Sequence, residues 1–316
     1  MRLDVLVIGD ANPDLVLRGD VRPRFGQEEQ LLDAADLVLG GSAAITAAGC
    51  ARLGLRTGLL AAVGTDVFGA FVRERLTERG VELLLPQSVE KTPTGLSVIL
   101  SAPDDRAILT LPGTIPALVP ADVTDELLAS ARHVHVASLF LQPRLHEGLA
   151  GVFARARRLG VSTSLDTNWD PTGRWAGLAE ILAVTDVFLP NAAELLAVTG
   201  GKPADADGPD KKAAIDDAAA RLVAGGTAVV LKDGAHGGRA WWPGVGSATA
   251  PGLPVDVVDT TGAGDSFNAG FLAARAAGRD IPEALAWAAQ AGSLSTRAAG
   301  GTAAQATIDE ITPSIR

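Results

Sequence analysis

The chain has 316 residues, of which 47% are hydrophobic and 20% are charged, and its formal net charge is −10. This length can bury a full core and allows one large or two ordinary domains. The acidic balance excludes non-specific binding to nucleic acid or anionic lipid, which needs basic patches. No apolar run reaches membrane-spanning length, and the single cysteine, Cys50, cannot form an intrachain disulfide. We therefore expect a cytoplasmic enzyme that binds neither nucleic acid nor membrane.

The chain opens with a predicted buried strand over residues 3–8, followed by a loop that holds Asn12 and Asp14. In an open parallel sheet, ligands bind outside the carboxyl ends of the strands. Both side chains are therefore placed to hydrogen-bond a polyol. An Asx-Pro turn is the alternative interpretation, and it accounts for Asn12 but not for Asp14.

Short strands over 15–18 and about 28–39 lead to a glycine pair, Gly40 and Gly41, after which Ser42 opens a helix. Small residues dominate this helix, which predicts that another element packs very close to it. A glycine pair before a helix also leaves backbone N–H groups bare to a ligand.

Alternating short strands follow between residues 81 and 111. Segments 94–100 and 106–111, joined by a turn at 103–105, predict a hairpin. We expect this hairpin and the two earlier short strands to form a small sheet, so that about 15–39 and 85–115 make a β lid. Such a lid would exclude water from a ligand bound beneath it. The simplest architecture is one domain over 1–316 with the lid embedded in it.

From residue 123 onward strands and helices alternate. Predicted strands are 132–138, 161–166, 185–189 and 227–232, and predicted helices are 144–159, 174–183, 191–199 and 211–224. Repeated βα units joined by short loops imply a parallel sheet covered on both faces by helices. The expected fold class is α/β, a three-layer sandwich with a mainly parallel central sheet and the small lid.

Polar side chains follow two of these strands. Asn168 comes after one strand, and Asn191 and Glu194 come after the next. A Mg²⁺ ion held through water would use such groups, because it keeps several waters and few direct carboxylates. Asn191 and Glu194 also have the spacing of a helix capping box. Both interpretations stay open.

A glycine-rich loop after the strand at 227–232 contains Lys232, Gly234 and Gly237. The glycines allow close approach of a flat nucleotide base, and Lys232 could offset phosphate charge. This pattern predicts one side of a nucleotide site.

The run from Asp259 to Asp265 indicates the type of reaction. Residues 255–258 alternate like the end of a strand, and a helical pattern follows the run. The three small residues Gly262, Ala263 and Gly264 leave backbone N–H groups unshielded at a helix N-terminus, which favours a phosphate or a developing anion. Asp265 beside them can accept a proton, whereas the spacing does not support a capping box. An anion site with a base at its edge indicates phosphoryl transfer to a hydroxyl.

With these residues assembled, the chain resembles the ribokinase-like (PfkB) carbohydrate kinase family over nearly all of its length. The run Asp259-Thr-Thr-Gly-Ala-Gly-Asp265-Ser-Phe-Asn-Ala-Gly resembles the C-terminal signature of the family. The run Gly40-Gly-Ser-Ala-Ala resembles its N-terminal signature. The resemblance implies ATP-dependent phosphorylation of a sugar or related alcohol. Asp265 would be the base, with the 262–265 amides stabilising the transferring phosphoryl.

The same resemblance implies the remaining binding residues. The sugar-facing set would be Asn12, Asp14, Gly40, Gly41, Ser42, Ile45, Arg106 and Asp265. The nucleotide, phosphate and Mg²⁺ set would be Asn168, Asn191, Glu194, Lys232, Gly234, Gly237, Thr261, Gly262 and Gly264. Asp259 and Thr261, with the backbone of 298–301, would lie where many members hold a monovalent cation such as K⁺. Many members also form homodimers through the lid.

Two departures from the family pattern concern the acceptor. Ile45 stands where many members carry an Asn that binds a sugar hydroxyl, and this puts ribose in doubt. Asp170 stands where several sugar-acid kinases carry Arg, and Arg174 lies a few residues further. A phosphosugar needs additional cations near the lid, where Arg106 is the obvious candidate. A phosphosugar or nucleoside kinase and a catalytically silent sugar-binding regulator are the alternatives. A Rossmann oxidoreductase is disfavoured because no glycine fingerprint follows the first strand.

Overall fold

A computed structural model describes residues 2–86, 92–102, 106–202 and 210–311. The strands within these ranges are β1 (Leu3–Ile8), β2 (Asn12–Gly19), β3 (Leu32–Gly40), β4 (Thr57–Leu60), β5 (Glu82–Leu84), β6 (Leu96–Ser101), β7 (Arg106–Leu111), β8 (Ala131–Val136), β9 (Ser162–Leu165), β10 (Val187–Phe188), β11 (Ala228–Lys232), β12 (Gly238–Trp242) and β13 (Gly246–Ala250). The helices are α1 (Ser42–Arg52), α2 (Val67–Glu78), α3 (Asp125–Ala129), α4 (Pro143–His146), α5 (Leu149–Arg158), α6 (Leu178–Leu182), α7 (Ala192–Val198), α8 (Lys211–Ala224), α9 (Ala263–Ala276), α10 (Ile281–Ser295) and α11 (Ile308–Ile311).

The large sheet has the order β13-β12-β11-β10-β9-β8-β1-β4-β5. Its strands pair in parallel from β5 to β11, and at one edge β11 pairs antiparallel with β12 and β12 antiparallel with β13. The predicted mainly parallel sheet is therefore confirmed. Because parallel strands share a direction, the loops after β1, β9, β10 and β11 meet at one carboxyl edge.

Alternate residues of β1 show why helices cover both faces of this sheet. Val5 and Val7 point into the cluster formed with α1, α9 and α10, whereas Leu6 and Ile8 point into the cluster formed with α5 to α8. All four side chains are buried, as expected of a strand in the middle of a three-layer sandwich. Gly49 of α1 faces Ala269 of α9 so closely that an added Cβ would lie 2.7 Å from the Ala269 Cβ. This contact explains the small residues of α1.

The predicted small sheet is also present, with the order β3-β2-β6-β7. β2 and β6 pair in parallel, and the two outer pairs are antiparallel. The hairpin turn predicted at 103–105, part of the segment 85–115, and residues 203–209 lie outside the described residues. Among the described helices, none is long and apolar enough to cross a membrane.

Four local predictions were wrong. Asn12 and Asp14 lie in strand β2 and not in a loop, because residues 12–19 pair with both β3 and β6. The run 255–258 is not a strand, and Val257 and Val258 are exposed.

The predicted helix 144–159 is two helices, α4 and α5, that break at residues 147–148. The helix predicted over 174–183 begins only at Leu178, because Trp175 and Gly177 have left-handed φ angles of 50° and 78°.

Candidate active site

Two cavities meet at the carboxyl edge of the large sheet. The large cavity, of about 740 Å³, lies between this edge and the small sheet. The adjoining cavity, of about 440 Å³, lies beside α9 and α10. Lys232, Gly234, Thr260 and Gly264 line both cavities. The turn that begins α9 therefore stands at the boundary between them.

Glycine is required at the start of this turn. Gly262 has a left-handed φ of 71°, and an added Cβ would lie 2.6 Å from the Gly301 Cα. Helix α9 begins at the next residue, Ala263, whose N–H donates to the Thr260 carbonyl oxygen over 3.2 Å. The following amides of the first helical turn have no acceptor within the helix. Gly264 lines both cavities and Asp265 lines the large one, at the positive end of the helix dipole.

Asp265 is buried at this helix start and makes no capping hydrogen bond. Burial, with the nearby Asp166 and Asp10 carboxylates, raises the pKa of Asp265 to about 8, against the smaller effects of Lys232 and a hydrogen bond from Ser42. A carboxylate with this pKa is a stronger base than an exposed one. The arrangement fits a group that takes a proton near neutral pH.

Asp259 fixes the other side of the turn. Its Oδ1 accepts from the Thr261 N–H and hydroxyl over 2.9 and 2.8 Å, and its Oδ2 accepts from the Gly300 N–H over 2.9 Å. Burial opposes ionisation, but these three donors hold the pKa of Asp259 below its usual value. The small sheet reaches the same place, because Arg106 Nη1 donates to Thr261 Oγ1 over 2.9 Å.

Asn12 and Asp14 line the large cavity from strand β2. Asn12 Nδ2 donates to Asp14 Oδ1 over 2.8 Å. Burial, together with the nearby Asp10 carboxylate, raises the pKa of Asp14 to about 7. Gly40 fits directly against this side chain, since an added Cβ would collide with the Asp14 carboxyl group. The predicted polyol-binding pair is therefore in the large cavity, although it lies on a strand.

The start of α1 is organised by Asp10, a residue that the sequence analysis missed. Asp10 Oδ1 accepts from the Ala43 N–H and Oδ2 from the Ser138 hydroxyl, both over 2.9 Å. Gly41 precedes the helix with φ of 86°, and an added Cβ would lie 2.8 Å from the Asp10 carbonyl oxygen. Asp10 lies two residues after the end of β1, so the rule that ligands bind past strand ends could have found it.

Asn168 ties this helix start to the loop after β9. Its Nδ2 donates to Ser42 Oγ over 2.9 Å, and its Oδ1 accepts from the Ser138 N–H over 2.8 Å. Asn168 also has a left-handed φ of 53°, a conformation that Asn tolerates better than most residues. The nitrogen and the oxygen of its side-chain amide thus both bond to the protein, on the wall of the large cavity.

Asp166 links Lys232 to Asn268, and neither Asp166 nor Asn268 was among the predicted site residues. Lys232 forms a buried ion pair with Asp166, which also accepts from Asn268 Nδ2 over 2.6 Å. Burial alone would raise the pKa of Asp166, but Lys232 and Asn268 outweigh it and hold that pKa low. The sequence carried a signal for Asn268, because it lies three residues after Asp265 on the same helix.

The capping box predicted for Asn191 and Glu194 is present. Asn191 Oδ1 accepts from the Glu194 N–H over 2.9 Å, and Glu194 Oε2 accepts from the Asn191 N–H over 2.8 Å. Glu194 is nevertheless buried beside Lys232 and lines the large cavity, and burial raises its pKa to about 7. The described residues contain no cluster of three His, Cys, Asp or Glu that could enclose a metal. A metal here would therefore keep most of its ligands from water or a bound substrate.

The adjoining cavity is mainly apolar. Its walls are Gly234, Ala235, Gly237, Gly252, Leu253, Pro254, Val255, Val257, Phe267, Ala289, Gly292, Ser293 and Thr296. Gly234 has a φ of 56° and open space beside it, which suits a closely approaching ligand. Gly237 has a different reason to be glycine, because an added Cβ would collide with the Ala250 carbonyl oxygen.

The two departures noted in the sequence have clear positions. Ile45 lines the large cavity and packs against the turn, within 3.0 Å of a Cβ added at Gly262. Asp170 accepts from the Thr172 and Trp175 N–H groups and shapes the loop after β9. Arg174 is exposed, bonds Thr172, and does not line the large cavity.

Comparison with known proteins gives the family. Residues 2–308 match the model of the pfkB family carbohydrate kinases, and the chain belongs to that family. It is 33% identical over 304 residues to the ATP-dependent ribose-1-phosphate kinase of Halopiger xanaduensis, covering 95% of this chain and 94% of that one.

Two solved structures share the fold. Arabidopsis thaliana ribokinase complexed with ribose and ATP superimposes with a TM-score of 0.83 at 25% identity, covering 100% of this chain and 99% of that one. A putative ribokinase II from E. coli, in complex with ATP and Mg²⁺, gives a TM-score of 0.83 at 22% identity, with 99% of each chain covered. The fold is the ribokinase-like α/β fold, and the protein is a carbohydrate kinase.

Proposed function

We propose that the protein transfers the γ-phosphoryl group of ATP to a hydroxyl of a sugar or sugar-like molecule. The observation that carries this proposal is the position of Asp265. It is a buried carboxylate of raised pKa at the N-terminus of α9, where the two cavities meet. ATP would occupy the adjoining cavity, and the acceptor would occupy the large one.

In this mechanism the acceptor hydroxyl loses its proton to the Asp265 carboxylate as its oxygen bonds the γ-phosphorus. The bond from that phosphorus to the bridging oxygen of ATP breaks in line, and ADP leaves. Backbone N–H groups at 262–265 stabilise the charge on the transferring phosphoryl, and Lys232 adds positive charge beside them. Positioning and electrostatics carry most of such a reaction.

The donor set fits a Mg²⁺ ion that is bound mainly through water and phosphate. Glu194 would hold it, with Asn191 nearby. The capping box engages Glu194 through Oε2, so the ion or its water would bind the other carboxylate oxygen, Oε1. When bound with the nucleotide, the ion neutralises charge on the phosphates. The carboxylate of Glu194 faces the same cavity as Lys232 and Asp265, which supports this location.

A monovalent cation such as K⁺ is a further part of the proposal. A carboxylate has about four acceptor sites, and Asp259 uses three of them on Thr261 and Gly300. The remaining site, with backbone carbonyls of 298–301, would take the ion. Turnover in KCl should then exceed turnover in choline chloride at equal ionic strength.

We propose that the small sheet is a lid embedded in a single kinase domain over 1–316, and that two copies associate through it. Its outer face carries an apolar row across all four strands: Leu37, Leu15, Val98 and Leu109. Leu37 and Leu109 are 41% and 59% exposed, and a continuous apolar face of this kind favours an interface. Light scattering should give twice the monomer mass, and Leu109→Glu should reduce it to the monomer. The cytoplasmic location stays a prediction.

The deciding experiment is a coupled ADP-release screen over pentoses, hexoses, sugar acids, nucleosides and ribose 1-phosphate, with Asp265→Asn beside the wild type. We expect acceptor-dependent ADP release by the wild type alone. Sugar binding without ADP release from any acceptor would favour a silent regulator instead. The relatives act on different acceptors, among them ribose 1-phosphate and ribose, so their names do not decide this one.

A further inference from the structure

The inner face of the lid is banded. The strand registers align the side chains of this face into successive rows across β2, β6 and β7. The first row is Asp14, Ser97 and Thr110, and the second is Val16, Ile99 and Ile108. The lid therefore offers hydrogen bonds in one band and only hydrocarbon in the next.

The polar band suits the hydroxyls of a sugar ring. Ser97 Oγ and Thr110 Oγ1 lie 3.1 Å apart, and the Asp14 carboxylate is held beside them by Asn12. All four side chains line the large cavity. Adjacent carboxylate and hydroxyl groups are the partners that a vicinal diol requires.

The apolar band does not suit a second set of hydroxyls. Ile99 and Ile108 pair directly across β6 and β7, and Ile115, Leu141 and Pro171 line the same cavity. A hydroxyl buried against these side chains would lose its water partners without replacement, which is unfavourable. Ile108 is 54% exposed, so its side chain is largely uncovered. This part of the cavity favours an apolar group.

Trp169 adds a flat surface to the same large cavity. It is 55% exposed and follows β9 on the loop shaped by Asp170. Its ring meets Trp175 edge to face with centroids 5.2 Å apart, and Trp175 meets Phe140 in the same way at 5.3 Å. These contacts restrain the ring, and a restrained, exposed indole is a stacking surface.

The charges of the large cavity disfavour a phosphorylated acceptor. Among the described residues, the carboxyl groups of Asp10, Asp14, Glu194 and Asp265 line it, against the two cations Arg106 and Lys232. Lys232 is also paired with Asp166. A second phosphate near the lid would therefore meet more carboxyl groups than cations. The apolar surface of the cavity therefore favours an acceptor whose substituent carries no charge.

We infer that the acceptor is a glycoside that carries a flat, uncharged substituent, as a nucleoside does. Its sugar hydroxyls bind the polar band, and the substituent lies between Ile108 and Trp169. The inference rests on the proposed kinase function and specifies the acceptor of that same site.

The test compares kcat/KM for ADP release with adenosine, uridine, a phenyl riboside, ribose and ribose 1-phosphate. At least one of the three glycosides should exceed ribose by about tenfold or more, since removing an apolar group from such a pocket costs about 10–200-fold. If only the nucleosides are phosphorylated, the accepted substituent is a nucleobase. If the phenyl riboside is phosphorylated as well, the site accepts any flat substituent. Ribose or ribose 1-phosphate matching the best glycoside would overturn the inference while leaving the kinase function intact. If no acceptor supports ADP release, the proposed function fails as well.

Two variants test the location of the substituent. Trp169→Ala and Ile108→Ser should each lower kcat/KM for the preferred glycoside about 10–100-fold, mainly through KM, while kcat/KM for ribose changes less than about threefold. Trp169→Phe should restore most of the loss, because it keeps a ring. Val245→Ser, which removes an exposed aliphatic side chain from the β12–β13 turn, is the matched control. An equal loss for ribose and the glycoside would show that Trp169 only shapes its loop and would refute the inference.

Discussion

Arg106, the first residue of β7, donates a hydrogen bond of 2.9 Å to the hydroxyl of Thr261, which directly precedes Gly262. Thr261 in turn donates to Asp259. The edge of the lid is therefore connected to the turn that begins α9 by a hydrogen-bonded chain of three side chains. This chain gives the lid a defined docking position over the site.

Arg106→Ala should weaken that docking. One lost hydrogen bond is worth about 1 kcal/mol, or about fivefold, so we expect the acceptor KM to rise about fivefold in steady-state assays. Thr261→Val should have a similar or larger effect, and the double variant should lose less than the sum of the two. Arg24→Ala is the control, since Arg24 pairs only with surface carboxylates among the ion pairs of the described residues. Additive losses would contradict a direct coupling.

Asp265→Asn should lower kcat by at least about 10²-fold, because a positioned general base contributes about 10²–10⁴-fold. The dissociation constant for ATP, measured by calorimetry, should change little, since ATP would contact the turn through backbone N–H groups. A variant with near wild-type turnover on its best acceptor would remove Asp265 from the mechanism.

The pKa of Asp265, about 8, predicts the pH profile. The free enzyme needs this carboxylate ionised, so kcat/KM should fall tenfold per pH unit below about pH 8 and level off above it. Asp14, with a pKa of about 7, should add a second, lower inflection. A profile that stays flat from pH 6 to pH 9 would exclude a base of this kind.

The same shift predicts a pH-dependent change in stability. Folded Asp265 keeps its proton up to about pH 8, whereas in the unfolded chain it loses the proton near 3.8. Its contribution to the free energy of unfolding is therefore fully present below about pH 4 and is lost as the pH rises through 8. The side chain introduced by Asp265→Asn stays neutral at every pH. The Tm of the variant should therefore rise relative to the wild-type Tm as the pH increases from 5 to 8.5. Differential scanning fluorimetry at matched ionic strength measures this, and a constant difference in Tm would disprove the linkage.

The adjoining cavity predicts weak selectivity for the nucleotide base. No carboxylate or carboxamide side chain of the described residues lines it, and the Ser293 hydroxyl is committed to the Leu253 N–H and the Ala289 carbonyl oxygen. A site without such partners cannot reach the 10⁴–10⁵-fold discrimination of a hydrogen-bonding pocket. ATP and GTP should give kcat/KM values within about tenfold of each other. A preference above about 10³-fold would mean that backbone groups read the base.

The local signals in the sequence were strong where neighbouring residues determine the structure. The βα alternation predicted the parallel sheet, and the spacing of Asn191 and Glu194 predicted their capping box. The small residues of the 259–265 run predicted the helix start at Ala263. Each of these features depends on contacts within a few residues, which composition and spacing record directly. The resemblance to the family added the roles that spacing could not supply.

Only the tertiary structure decided which distant residues share the site. Arg106 and Thr261 are 155 residues apart, and Asp166 and Asn268 are 102 apart. Asp14 was predicted in a loop but lies in a strand, because pairing with β3 and β6 outweighs the local preference of the Asn-Pro sequence for a turn. The bands on the lid depend on the register of three strands, and the raised pKa of Asp265 depends on burial by surrounding elements. These properties arise from long-range packing, so no local pattern in the chain encodes them.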